Sequence, residues 1–408
     1  MKTTLKGLLF LAALLVLAVG QAQAAIDPTT AKKLLTGDGA DGEEFGSSVS
    51  VSGDTAVIGA HYDDGGKGAV YIFTRAVDGS WSQQKLTADD GAAGDEFGVS
   101  VAVSGDMAII GACHDDDKGT DSGSAYVFVR AAGGSWSQQK KLIATDGVAD
   151  DLFGSSVSVD GDTAIIGAHG NDSGKGVAYV FTRTNGVWSE QPKLTDNDGA
   201  THDYFGTSVS LAGDTAIIGA SGNDSRKGAA YVFTRTGSVW SQQQKLIAAD
   251  GAADDYFGSS VSVDGDTAII GASGNDTEKG AAYVFTRTSG VWTQQQPKLT
   301  ATDGSEVDWF GYSVSVDGDT VVVGASNNDT SKGAAYVFTC TGSTWNQQSK
   351  LVAADGGADD YFGSSVAVDG DTVVVGAYGD DSAKGSAYVF GGPVSAALPA
   401  INFLLLRN

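Results

Sequence analysis

Only two of the 408 residues are cysteine, Cys113 and Cys340, so no disulfide framework holds this chain and its fold must stand on its own core. Four histidines leave few candidates for acid–base chemistry near neutral pH. Basic residues are scarce as well. Lys and Arg total 25 against 50 Asp and Glu, a net charge of −25. That balance argues against nucleic acid, whose phosphates need clustered Lys and Arg. No Ser-His-Asp grouping, catalytic carboxylate pair or phosphate loop stands out. What is abundant also narrows the class. An apolar fraction of 41% is too high for a disordered chain, and the 58 glycines lack the triplet period of collagen. The length suits two ordinary domains, or one large all-β or repeat architecture.

The first 24 residues have the three parts of a secretory signal. Lys2 and Lys6 form the basic start, Leu8 to Val19 the apolar run, and Ala22-Gln23-Ala24 a small-x-small cleavage site. An exported chain is therefore expected, secreted or at the cell surface. At the other end, Val394 to Leu406 is apolar but short and broken by Pro399. A membrane helix needs about 20 apolar residues. A tail at 391–408 that packs on the domain, or serves as a sorting or attachment segment, is expected instead of a membrane span.

Between these ends the chain repeats itself. Phe-Gly recurs at Phe45, Phe97, Phe153, Phe205, Phe257, Phe310 and Phe362, with Gly-Ala fourteen residues after each Phe. The spacings are 52, 56, 52, 52, 53 and 52 residues. Each unit reads as four short strands. In the fifth, Ser259 to Val263 alternates small polar residues with Val, Asp264-Gly265-Asp266 turns the chain, and Thr267 to Ile270 is a buried strand. Ser273 to Gly280 reads as a polar loop, Ala281 to Thr286 as a third strand, and Trp292 to Leu299 as a fourth. The fourth carries Pro192 and Pro297 in two units, and its Trp-to-Leu spacing varies, so it belongs on a sheet edge with bulges. Four-stranded sheets repeated radially make a β-propeller. Unit seven lacks a fourth strand, while Lys32-Lys33-Leu34 precedes unit one. The expected architecture is thus all-β, one seven-bladed propeller over 25–390, closed by the N-terminal strand completing the last blade.

The pairing of Phe-Gly with Gly-Ala at this spacing resembles the FG-GAP repeat, the blade unit of the integrin α-chain propeller. The phrase Ala-Tyr-Val-Phe-Thr-Arg and the short hairpins are closer to bacterial exported members of that family. The resemblance covers about residues 31–390 and implies binding or adhesion. Integrin-type blades hold calcium in an Asp-rich loop between the first two strands. This chain has only tight hairpins there, such as Asp160-Gly161-Asp162, so those sites do not carry over.

A residue present in every unit is most simply a blade-building residue, and a site is expected where units differ. The connections between blades and the second-to-third-strand loops lie on one face and are acidic, with Asp89-Asp90, Asp95-Glu96, Asp150-Asp151 and Asp63-Asp64 among them. Such a face would recruit cations or basic partners. Solvated loops capped by Asp and Asn are the alternative. Unit two has the longest loop, Asp115-Asp116-Asp117-Lys118-Gly119-Thr120-Asp121. Asp115, Asp117 and Asp121 form a calcium candidate, although Lys118 works against it and no closing bidentate Glu follows. His61, Cys113 and His169 occupy matching positions in units one to three, with His114 adjoining, and form a soft-metal candidate for which blade spacing is unfavourable. Six Trp, at 81, 136, 188, 240, 292 and 345, fit outer-strand packing or sugar stacking. Cys113 and Cys340 sit in nearly opposite units and should be unpaired thiols. The function expected is a non-catalytic, monomeric binding or adhesion module for an extracellular protein or glycan, calcium-assisted at most. The alternative is a carbohydrate-binding or carbohydrate-active propeller; the near-identity of the units argues against the catalytic form, since active sites need groups with different pKa values.

Overall fold

The computed structural model describes residues 26–391. The signal reading over 1–24 and the tail reading over 391–408, Gly391 apart, fall outside the described residues. Within them the chain forms seven four-stranded antiparallel sheets. Blade five shows how sequence becomes strand. Its inner strand, Ser260–Asp264, alternates, burying Val261 and Val263. The second, Thr267–Ala272, is buried almost throughout because sheets cover both its faces. The third, Ala281–Thr288, buries its first five residues and then opens to solvent. The outer strand, Val291–Gln294, buries Trp292 and exposes its neighbours. Burial is thus continuous on the second strand and the first part of the third, and alternates on the innermost and outermost strands.

Each apolar core layer is shared between two consecutive blades. Ile217, Val232 and Leu246 of blade four pack with Phe257, Ile270 and Tyr283 of blade five. A single blade could not bury these faces, so the ring must close. It closes through Lys32–Leu34, which pairs antiparallel with Ser386–Phe390 in the register Lys33↔Tyr388. Leu34, Val374 and Val389 then join the core of blade one.

The repeated motif has a direct physical meaning. The seven Phe are buried and meet the Tyr of the third strand at centroid distances of 5.3–5.5 Å. The Gly of Gly-Ala lets one blade approach the next: a Cβ on Gly271 would collide with the Gly311 carbonyl. Nearby, a Ser hydroxyl donates across each blade junction, as in Ser260 Oγ to Gly311 O at 2.9 Å. Ser365 Oγ to Gly46 O at 2.8 Å closes that circle.

Two expectations need refinement. The fourth strand of unit five does not run to Leu299 as a ladder. Pairing stops at Gln294 and resumes as an isolated bridge between Ala282 and Leu299, because Pro297 has no N–H to give. The loop Ser273–Gly280 is not irregular either. Asn275–Glu278 forms a single tight turn with positive φ at Asp276, Thr277 and Glu278. The expected bulges do occur, at Val127/Phe128, Val232/Phe233 and Val337/Phe338.

Candidate functional site

Much of the acidic loop face is engaged in holding the ring together. In each blade the Tyr hydroxyl of the third strand and the Lys of the outer strand converge on one Asp of the incoming connection. In blade three, Tyr179 Oη donates to Asp146 Oδ1 at 2.9 Å and Lys193 Nζ lies 2.7 Å from Oδ2. The Lys193 ammonium holds the Asp146 carboxyl below its ordinary range, with burial working against it. The seventh clamp is completed from the other end of the chain, by Lys33 on Asp355 at 2.7 Å. A second Asp of each connection after the first caps its own turn, as Asp255 Oδ2 accepts from Ala252 N–H at 2.9 Å and from Asn275 Nδ2 at 2.8 Å.

The calcium candidate lies in this setting. Lys141 Nζ sits 2.7 Å from Asp115 Oδ2, 2.7 Å from Asp117 Oδ2 and 2.8 Å from Asp90 Oδ2. An ammonium therefore occupies the point between Asp115 and Asp117. Burial opposes the Lys141 charge, but these carboxylates outweigh it and keep the amine above its ordinary pKa. Asp121 is not brought to the same point. Its Oδ1 meets His114 Nδ1 at 2.9 Å. Nor do His61, Cys113 and His169 gather together. Among the described residues, the group of three metal-ligating side chains with ligand atoms within 4.8 Å of one another is Glu96, Cys113 and His114. Cys113 and Cys340 are both unpaired.

The asymmetry of the ring is concentrated at its axis. The connection into each blade is hydrogen-bonded to the second-to-third loop of the blade before, as in Phe97 N–H to Lys67 O at 3.1 Å, so both loop sets share one face. Each Phe-Gly leads into the innermost strand, and the residues flanking it ring the mouth of the central channel. Just before Phe-Gly stand Glu44, Glu96 and Leu152 in units one to three, then Tyr204, Tyr256, Trp309 and Tyr361 in units four to seven. All have positive φ, which turns the chain from the connection into the strand. Just after Gly-Ala stand His61, Cys113 and His169, then Ser221, Ser273, Ser326 and Tyr378. One arc of the mouth thus carries acid, imidazole and thiol, and the other carries aromatic rings.

On the aromatic arc, Tyr361 and Tyr378 stack at 5.0 Å and 5°. Trp309 and Tyr312 lie 6.1 Å apart at 20°. Together with Tyr256, Ser259, Ser273 and Glu278 the latter pair lines an open cavity of about 320 Å³. Trp309 Nε1–H donates to Glu278 Oε2 at 3.0 Å, fixing the indole, while Tyr312 stays 45% exposed. On the polar arc, His61 Nδ1 meets Ser47 Oγ at 2.9 Å and its Nε2 lies 3.6 Å from Glu44. Burial, and then the His114 charge, push the His61 pKa down to about 4, so it is neutral at pH 7. Burial, and then Glu96, raise the Glu44 carboxyl. Loss of solvation around its hydroxyl, and then the charge of Glu44, raise the Tyr312 phenol of unit six.

The six repeated Trp pack along the outer strands, Trp345 against the core shared by blades five and six. Trp136, Trp188 and Trp292 are buried, and Arg75, Arg235 and Arg287 cover Trp81, Trp240 and Trp292 at 5.1–5.6 Å. Sequence reasoning overlooked the aromatic arc, although its signal was present in the varying residue before each Phe-Gly.

The pattern of the FG-GAP repeat matches residues 28–73, 81–128, 136–181, 188–233, 240–285, 292–338 and 345–390. Each later match begins at an outer-strand Trp and ends on the third strand of the following blade. No curated protein matches the chain. Among the described residues, no helix is long and apolar enough to cross a membrane.

Proposed function

The chain belongs to the FG-GAP repeat family, and from that premise we propose that it is an exported, non-catalytic recognition module that holds a saccharide-bearing partner at the axial mouth of its acidic loop face. The observation carrying this reading is the aromatic arc of Tyr256, Trp309 and Tyr312 beside Glu278, in a chain whose other positions mostly repeat. Aromatic faces pack on the C–H faces of sugar rings, and carboxylate, Ser and imidazole groups around them supply the few polar contacts that fix orientation. Tyr312 stands on a strand, and the Trp309 indole is fixed by its bond to Glu278, so less entropy is lost on binding. The remaining acidic loops serve mainly as clamps and caps, and a calcium ion at Asp115, Asp117 and Asp121 would compete with Lys141 for the first two carboxylates.

Retention of the purified protein on a panel of immobilised polysaccharides tests this. At least one glycan should retain the wild type and lose Trp309→Ala and Tyr256→Ala, whose melting temperatures stay near the wild-type value. Retention by no glycan, or retention that both variants keep, would overturn the saccharide reading. Reproducible release of product from a polysaccharide would overturn the non-catalytic part.

A further inference from the structure

The polar arc contains a donor set that the clamps and caps leave unused. Glu96, Cys113 and His114 place an oxygen, a sulfur and a nitrogen within 4.8 Å of one another. Ligands of a tetrahedral zinc lie about 3.5 Å apart, given bonds of ~2.0–2.3 Å, so small side-chain rotations close this set on one ion. His114 is already oriented for it. Asp121 Oδ1 lies 2.9 Å from Nδ1, and a carboxylate only accepts, so Nδ1 carries the hydrogen. Nε2 faces Glu96 Oε2 at 3.5 Å, longer than a good hydrogen bond, and in the neutral ring it offers its lone pair there. A proton on Nε2 or a divalent cation between the two groups satisfies such a contact. A carboxylate on the far nitrogen is the usual support of a ligating histidine. The set also occurs once in the ring. Where unit two has Cys113-His114, units four and five have Ser221-Gly222 and Ser273-Gly274, and Asp121 lies in the lengthened loop peculiar to unit two.

We propose that Glu96, Cys113 and His114 bind one zinc-class divalent cation, with Asp121 as the positioning residue for His114. Three protein ligands of sulfur, nitrogen and oxygen leave a fourth position for water or an incoming group. The site stands on blade two and does not depend on what the aromatic arc holds.

Cobalt(II) titration of the metal-stripped protein provides the test, with zinc measured by competition against a chromophoric chelator. The wild type should take up one equivalent of cobalt with a thiolate-to-metal charge-transfer band, and zinc should displace it. Cys113→Ser should lose the band and Glu96→Gln should weaken uptake, while Cys340→Ser keeps both. Asp121→Asn should retain the one-to-one stoichiometry with affinity lowered about 10–100-fold. Melting curves confirm that each variant is folded. No stoichiometric uptake by the wild type, uptake without the band, or a band that survives Cys113→Ser or vanishes in Cys340→Ser would each overturn the proposal.

Discussion

The clamps differ from blade to blade, and the difference sets up a quantitative comparison between Lys141→Met and Lys193→Met. Methionine keeps most of the aliphatic stem and removes the charge. Lys193 pairs with Asp146 alone, and that carboxylate is 56% exposed. Exposed pairs contribute about 0–1 kcal/mol, so Lys193→Met should cost no more than that. Lys141 also serves Asp115, whose side chain is only 5% exposed. Stripping the partner from a buried charge costs about 3–5 kcal/mol. Asp115 keeps three other donors, the Tyr126 hydroxyl at 3.0 Å, the Ser124 hydroxyl at 2.9 Å and Asp117 N–H at 3.1 Å. These offset part of the loss and bring the expectation to about 2–3 kcal/mol. The ammonium over the Tyr ring is common to both blades, at 5.3 and 5.4 Å, and cancels in the comparison. Equilibrium urea unfolding, with midpoints compared at a common slope, measures the difference. Equal losses, or a larger one for Lys193→Met, would refute the argument that burial of Asp115 decides the magnitude.

The same carboxylates make calcium informative. Calcium should raise the melting temperature of Lys141→Met and leave the wild type at its salt-control value, whereas a saturable wild-type rise abolished by Asp117→Ala would put the ion in place of the ammonium. Asp196 stands where five other units have Ala, is buried, and has neither oxygen hydrogen-bonded. Burial, then Asp198 and Asp203, raise its pKa to about 6. A raised carboxyl binds more protons folded than unfolded, so stability falls as pH rises from about 4 to about 6. Asp196→Ala should therefore stabilise by about 1–2 kcal/mol at pH 8 and by much less at pH 4, as melts at the two values would show. Gly280 has φ +86° and a Cβ there would collide with the Phe310 carbonyl, so Gly280→Ala should cost more than about 2 kcal/mol in the same urea assay. Deleting residues up to Leu34 removes the strand that covers Tyr388 and the Lys33 pairs with Asp355 and Asp380. Loss of a single cooperative transition in calorimetry is expected, and an unchanged transition would contradict closure by that strand.

The architecture was legible because it is written as a period. Phe-Gly, Gly-Ala and Ala-Tyr-Val-Phe report local demands, a left-handed turn, a close backbone approach and a buried strand, and each recurs at a fixed interval along the chain. Even closure could be read, since a missing strand at Phe390 and a spare one at Lys32–Leu34 are both sequence facts. The site was not legible in this way. Asp115-Asp116-Asp117 looks like a cation loop in isolation, and only the fold brings Lys141 from the outer strand to fill it. Glu96 reads as one more acid of a connection until the ring sets it beside Cys113 and His114. Trp309 and Tyr361 lie 52 residues apart, yet both flank one opening. Local conformational preference and burial act over a few residues, so they leave a pattern in the sequence. Charge pairing depends on distances between side chains from different strands and loops of a blade, and convergence at the axis on side chains from different blades, and those distances exist only once the chain has folded.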